Sequence, residues 1–299
     1  MSTGQPREDA KIAFDKERRR RVLSRLSARM RFEAADVSHM LPFEEVVAAL
    51  GATSRHSIGE KVIDLDSIVG TVDRRRGDFD RSFRPSPNTR GRWERIAEAR
   101  KRGEAMPPID VFRIGDLHFV QDGHHRVSVA RALGDKDINA NVIEVRTKLG
   151  AGRELQMSDL PLKRHERVFH ERVPLPPAAR ERIQLSDEWR YAQLATLVES
   201  WGYRATIERE RVLPRGEMAQ LWFAEEYVPM VDMLREAEIG GGGTETERYL
   251  RVAMLRFLLL QRHDWTDDIA ERLAGEVKSP SAGAEADTMT HQILKEMRD

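Results

Sequence analysis

The sequence predicts an α+β core set between helical segments, and two patterns point to it. Between about residues 57 and 150 the chain runs strand, loop, helix, strand, tight turn, strand, helix, strand, the order of a compact α+β unit. Outside that span apolar residues recur at i, i+3, i+4, i+7 and i+8, as in Leu250, Ala253, Met254, Phe257 and Leu258, the spacing of one helix face. The 299 residues are 40% hydrophobic, enough for buried cores in roughly two domains of ~100–200 residues. The 33% of charged residues implies wide solvated faces.

Taken in order, Glu8 to Met30 reads as a long helix with Ile12, Phe14, Val22, Leu23 and Leu26 among its charges, carrying the run Arg18, Arg19, Arg20, Arg21. Phe43 to Leu50 is a second helix stopped by Gly51. Lys61 to Leu65 is a short strand, Asp66 to Val69 a turn or short helix, and 73–90 a charged loop. Arg92 to Arg102 is a helix ended by Gly103. Ile109 to Ile114 and Leu117 to Val120 are strands joined by Gly115 and Asp116, the strongest hairpin signal in the chain. A helix from His124 to Leu133, ended by Gly134, and a strand from Ile138 to Val145 complete the core. The resulting division is an N-terminal helical arm (1–56), the core (57–150), a polar linker (151–180) containing Pro161 and Pro174 to Pro177, an all-α C-terminal domain (181–275) and a loosely ordered tail (276–299). Within the all-α part, a helix from Pro214 to Glu238 is interrupted by Pro229. Its aromatic residues Trp222, Phe223 and Tyr227, with Phe257 and Trp265, read as core.

Composition removes several classes of function. There is no cysteine, which excludes disulfides, thiolate nucleophiles, zinc ribbons and iron–sulfur clusters. The longest apolar run near the C-terminus, Val252 to Leu260, is broken by Arg256 and falls short of the ~20 residues that span a bilayer. No apolar signal core opens the chain, so a cytoplasmic protein with no membrane partner is expected. The 50 basic and 50 acidic residues cancel, but unevenly. Residues 1–33 hold 10 basic and 5 acidic groups and residues 71–102 hold 11 and 5, whereas 217–299 hold 9 and 17. Such asymmetry implies different partners for different faces. The acidic C-terminal part is one candidate to dock the basic helix, within a homodimer or with another protein.

The stretch from Val120 to Gly134 carries the chemistry. A strand runs into a glycine turn and a helix starts within two residues, so backbone N–H groups without intrahelical partners converge on one spot and attract anions. Gly123 lets a phosphate approach the backbone, His124 and His125 donate when suitably protonated, and Arg126 adds a guanidinium fork. The same residues also fit a plain turn in which Asp122 caps the helix and the histidines are exposed first-turn residues. Metal ligation by His118, His124, His125 and Asp122 lacks the spacing such sites use, so no metal ligand set is assigned.

The sequence from Pro107, Pro108, Ile109, Asp110 and Val111 through Phe119-Val120-Gln121-Asp122-Gly123-His124-His125-Arg126 to Ala130-Arg131-Ala132-Leu133-Gly134 resembles the core of the ParB/sulfiredoxin superfamily. Upstream, Val62 to Ile68, then Phe79-Asp80 and Phe83-Arg84-Pro85, resemble that superfamily's first box. The resemblance covers about residues 58–146, a third of the chain. It implies a ParB/sulfiredoxin-like fold that holds a nucleoside triphosphate, CTP or ATP with Mg²⁺, at the turn from Gly123 to Arg126. ParB partition proteins bind CTP and switch a DNA clamp, sulfiredoxins use ATP to repair an oxidised cysteine, and other relatives phosphorylate free serine. Sulfiredoxin chemistry is excluded by the absence of cysteine. The Asp-Gly-His-His-Arg form resembles the kinase-like and uncharacterised relatives more than the Glu-Arg-Arg form of partition ParB, and residues 214–265 are similar to unnamed helical domains attached to ParB-like cores in bacteria.

Three readings follow. The first is a nucleotide-dependent, partition-like regulator that also contacts DNA through the basic arm and the loop carrying Arg74, Arg75, Arg76, Arg81 and Arg84. No convincing helix-turn-helix follows the core. The second is a phosphotransferase with a small hydroxyl acceptor, in which Asp122, or next His124, moves the proton while Arg126 with Arg84 or Arg74 stabilises phosphate charge. The third is a nuclease, which needs Asp64, Asp66, Asp110 and Asp116 to converge on metal, and strand alternation does not bring them together.

Overall fold

A computed structural model describes residues 4–30, 40–72, 77–239 and 241–260, with backbone only at 257–260. Arg74, Arg75, Arg76, Trp265 and the tail 276–299, all singled out above, lie outside the described residues. The chain divides into two compact units, Met1–Arg167 and Val168–Asp299.

The first unit is α+β. Its six strands are β1 (Leu41–Pro42), β2 (Ala52–Asp64), β3 (Ile68–Thr71), β4 (Ile109–Ile114), β5 (Leu117–Asp122) and β6 (Asp137–Thr147), in the order β1-β3-β5-β4-β6-β2. The β4–β5 hairpin and the β2–β6 pair are antiparallel, and β1–β3, β3–β5 and β4–β6 are parallel. Period-two alternation divides the side chains between two cores. Ile109, Val111, Val120, Ala140 and Val142 face one side, and Phe112, Ile114, Phe119 and Val145 the other.

Over the first face pack α1 (Pro6–Met30), α3 (Arg90–Lys101) and α4 (His124–Leu133). Phe14 of α1 meets Trp93 of α3 edge to face at 5.5 Å, and the Trp93 Nε1 donates to Ser128 Oγ of α4 at 2.7 Å, so one indole joins three helices. Over the second face lies α2 (Phe43–Leu50), whose Phe43 stacks on Phe112 with centroids 4.6 Å apart, along with Leu149, Leu155 and Leu160. Gly51 closes α2 in the left-handed region, as expected from sequence.

Three elements differ from the sequence expectation. The strand expected at Lys61–Leu65 is the end of the 13-residue β2, whose residues are mostly exposed and therefore show no apolar alternation. The turn expected at Asp66–Val69 is split into a short 3₁₀ turn and the buried strand β3. That strand contains Gly70, where a Cβ would lie 2.3 Å from the Leu41 carbonyl oxygen, so β1 and β3 approach too closely for any side chain. The third difference is the linker expected at 151–180, which holds α5 (Leu160–Arg172) and α6 (Pro177–Arg182). Pro161 and Pro177 sit in the first turns of these helices, where the missing N–H has no intrahelical acceptor to lose.

The second unit is helical: the end of α5, α6, α7 (Glu188–Glu208), α8 (Arg215–Trp222), a π-helical turn at Phe223–Tyr227, α9 (Val228–Glu236) and α10 (Glu245–Leu260). Trp222, Tyr227 and Tyr249 form an aromatic centre with ring centroids 5.1–6.0 Å apart. Phe223 is only partly buried. Among the described residues no helix is long and apolar enough to cross a membrane.

Candidate functional site

The β5–α4 turn is built around Gly123. Its φ of 107° lies in the left-handed region that glycine tolerates, and a Cβ there would sit 2.4 Å from Ile109 Cγ2. Gly123, not Asp122, occupies the N-cap position, and no side chain caps the helix. The Asp122 carboxylate instead accepts from Arg126. The Arg126 guanidinium also donates to the carbonyls of Pro107, at 2.8 Å, and Pro108. It thus ties α4 to the strand entry at Pro108 and has few donors left for a ligand.

His124 packs against two phenylalanines, Phe79 and Phe83, whose own centroids are 6.3 Å apart, so the three rings form a triangle. The His124 ring is near-parallel to those of Phe79 and Phe83, at 6.3 and 6.2 Å, and its Nε2 is 2.7 Å from Thr71 Oγ1 on β3. Phe79 and Phe83 come from the loop after β3, which is held in three ways. Asp80 Oδ1 accepts from the backbone N–H of Ser82 and Arg84 at 3.0 and 2.9 Å. Arg131 of α4 lies over Phe83, 5.3 Å from its centroid. Arg21, buried on the inner side of α1, donates to the carbonyls of Gly77, Asp78 and Arg84 at 2.8, 3.0 and 3.3 Å. Phe83 itself is buried with φ 57°, a strained conformation for a bulky residue, kept by these contacts.

His125 meets Phe79 edge on at 5.2 Å, and its Nδ1 is buried with no hydrogen-bond partner. Burial first, then the charges of Arg92 and His124, lower its pKa to about 4. At neutral pH this imidazole is uncharged, so it does not supply the cationic donor expected from sequence. A cleft of about 280 Å³ opens beside it, lined by Asp78, Arg92, Asp122, Gly123 and Arg126 among others. Exposed Arg92, on α3, takes the place in the cleft wall that the sequence assigns to Arg84 and Arg74. Arg84 turns toward Asp80, 3.9 Å away, and Arg74 lies outside the described residues. Nothing local in the sequence marks Arg92 or Thr71, or sets Arg21 apart from the other arginines of its run. They reach the turn only because α3, β3 and α1 pack around it.

His118 lies at the start of β5, four residues before Asp122 and therefore ~13 Å along the strand from the turn. It does not join His124 and His125. Its Nδ1 is 2.8 Å from Ser67 Oγ. Burial, with Arg113 and Arg153 next, lowers its pKa to about 4, against ~6.5 in an unfolded chain. Below pH ~6.5 the unfolded chain therefore binds a proton that the folded one refuses, and stability falls as pH drops toward 4. The loss is on the order of 2 kcal/mol at pH 5 for this group. Urea unfolding at pH 7 and pH 5 is expected to show a clearly smaller difference in His118→Asn than in the wild type; equal differences would refute this role.

No family model and no curated protein matches the chain. Two solved structures are weakly similar. One is the C2221 crystal form of a pNOB8-like ParB N-domain, at 11% identity and TM-score 0.21, covering 82% of this chain and 98% of that one. The other is a second pNOB8-like ParB N-domain structure, at 11% identity and TM-score 0.20, covering 81% and 91%. At such scores nothing passes from those structures to this chain.

Proposed function

We propose that this protein is a nucleotide-binding regulator that holds nucleoside triphosphate phosphates at the start of α4. The observation that carries the reading is the cleft at the Gly123 turn, which is lined by Arg92 and Arg126 and by the first-turn residues of α4, whose amides lack intrahelical acceptors. The residue-level resemblance of the same turn to the ParB/sulfiredoxin superfamily supports it. Arg92 is the cation for the phosphates, His124 and His125 are neighbouring walls, and Arg126 is a positioning residue. Protein carboxylates at this cleft would hold the Mg²⁺ that accompanies nucleotide phosphates, and the ion would neutralise part of the phosphate charge. Asp78 and Asp122 are the carboxylates lining the cleft.

Regulation is favoured over phosphate transfer by the engagement of both proposed proton carriers. His124 Nε2 lies 2.7 Å from Thr71 Oγ1 and the exposed Asp122 carboxylate pairs with Arg126, so an acceptor hydroxyl would have to compete with these partners for either group.

The test is calorimetry and thermal shift with ATP, ADP, CTP and GTP in Mg²⁺ on the wild type and Arg92→Ala. At least one triphosphate is expected to bind, and the variant to lose about tenfold in affinity, the scale of one charge-assisted contact, with its melting temperature unchanged. No binding by any of the four sinks the reading. Turnover of ATP with an added hydroxyl compound would move it to the phosphotransferase.

A further inference from the structure

The helix α1 has two apolar sides, and the fold uses one. Ala10, Phe14 and Arg21 are buried on its inner side. Ile12, Val22, Leu23, Leu26 and Met30 are 53–73% exposed. At 100° per residue these five fall within an arc of about 100° on the opposite side of the helix. Four of them crowd into the last nine residues, with Leu23, Leu26 and Met30 at i, i+3 and i+7. Isolated exposed apolar residues are ordinary, but a contiguous stripe marks a contact surface.

Its charge calls for an anionic partner. Residues 18–30 contain six arginines and no carboxylate. Arg21 points inward and Arg20 pairs with Glu17, while Arg18, Arg19, Arg25 and Arg29 are exposed. Arg18, Arg25 and Arg29 border the stripe along one side, and Arg19 lies within it. Two copies of such a helix side by side would set arginine against arginine. Nucleic acid would pair the arginines but leave the leucines without a role. A bilayer with anionic headgroups satisfies both, because the stripe enters the acyl boundary while arginine stems carry their heads back to the phosphates.

We infer that the outer face of α1 is a membrane-surface site for anionic lipid, in which the helix lies in the headgroup plane on Val22, Leu23, Leu26 and Met30. The absence of a spanning segment, from which the sequence reading expected no membrane partner, does not bear on a helix that lies on the surface.

The test is flotation of the full chain with phosphatidylcholine vesicles made with or without phosphatidylglycerol. The variants are Leu23→Ser with Leu26→Ser, and Arg18→Gln with Arg25→Gln and Arg29→Gln. All these positions are exposed, so unchanged melting is expected and serves as the control for folding. The wild type is expected to float only with phosphatidylglycerol, and each variant to bind at least tenfold more weakly. Failure of the wild type to float overturns the inference, as does equal flotation of the leucine variant. So does a dimer in sedimentation, or duplex DNA binding, that the leucine variant abolishes, since the stripe would then belong to that partner.

Discussion

Gly123→Ala is expected to destabilise the α+β unit by about 3–5 kcal/mol, a fall of roughly 10 °C in melting temperature. Two costs combine. A backbone at φ 107° is open to glycine and strained for alanine, at ~1–3 kcal/mol. In addition, the new methyl would lie 2.4 Å from Ile109 Cγ2 and 2.8 Å from Ile109 Cβ, and Ile109 is fully buried in β4. Either the hairpin or the start of α4 must shift, at a further ~1–3 kcal/mol. The two costs can be separated. In Gly123→Ala with Ile109→Ala the contact with Cγ2 is removed, whereas the 2.8 Å contact with Cβ and the φ strain persist, so the double variant should lose less stability than the sum of the two single losses. Strict additivity by urea unfolding would mean that the close approach of Gly123 to Ile109 is not what the turn depends on.

Glu226→Ala is expected to cost the helical unit about 3–5 kcal/mol. Glu226 sits in the π-helical turn, where one extra residue per turn rotates its side chain inward, and it accepts from Arg256 Nη2 at 2.7 Å. Arg256 is 1% exposed and Glu226 8%, so solvent does not screen the pair. Burial raises the Glu226 pKa and Arg256 works against that rise. Deleting the carboxylate leaves a buried guanidinium without its charged acceptor, whereas Glu226→Leu with Arg256→Met removes both charges and should recover most of the loss. Chemical denaturation of the two variants decides the matter. A single variant within 1 kcal/mol of the wild type would show that the pair contributes little.

Much of the α+β unit was legible because its elements carry local signals. The β4–β5 hairpin follows from Gly115 and Asp116 between apolar runs, and α4 from Gly123 and Gly134 at its two ends. The misread segments lack such signals for identifiable reasons. β3 is four residues, all buried, with a glycine imposed by β1. β2 is a mostly exposed edge strand. α5 and α6 carry prolines that read as linker until their first-turn position is known. The candidate site was half legible. The turn from Asp122 to Arg126 stands out in one dimension, but the partners of its side chains are distant in sequence, such as Thr71 for His124 and Pro107 for Arg126.

What the sequence by itself determined is the class of fold, the glycine turn that opens α4 and the concentration of arginine without acids in the last half of α1. These depend on spacing and residue type within a few turns of chain. Only the tertiary structure decided that Arg126 is a tie and Arg92 the cleft cation, that His125 is held neutral, that Arg21 faces the loop of Phe79 and Phe83, and that the leucines of α1 face outward. Each of those depends on burial and on which other element is packed alongside. Both are set by contacts between residues far apart in the chain, and neither leaves a periodic trace in the local sequence.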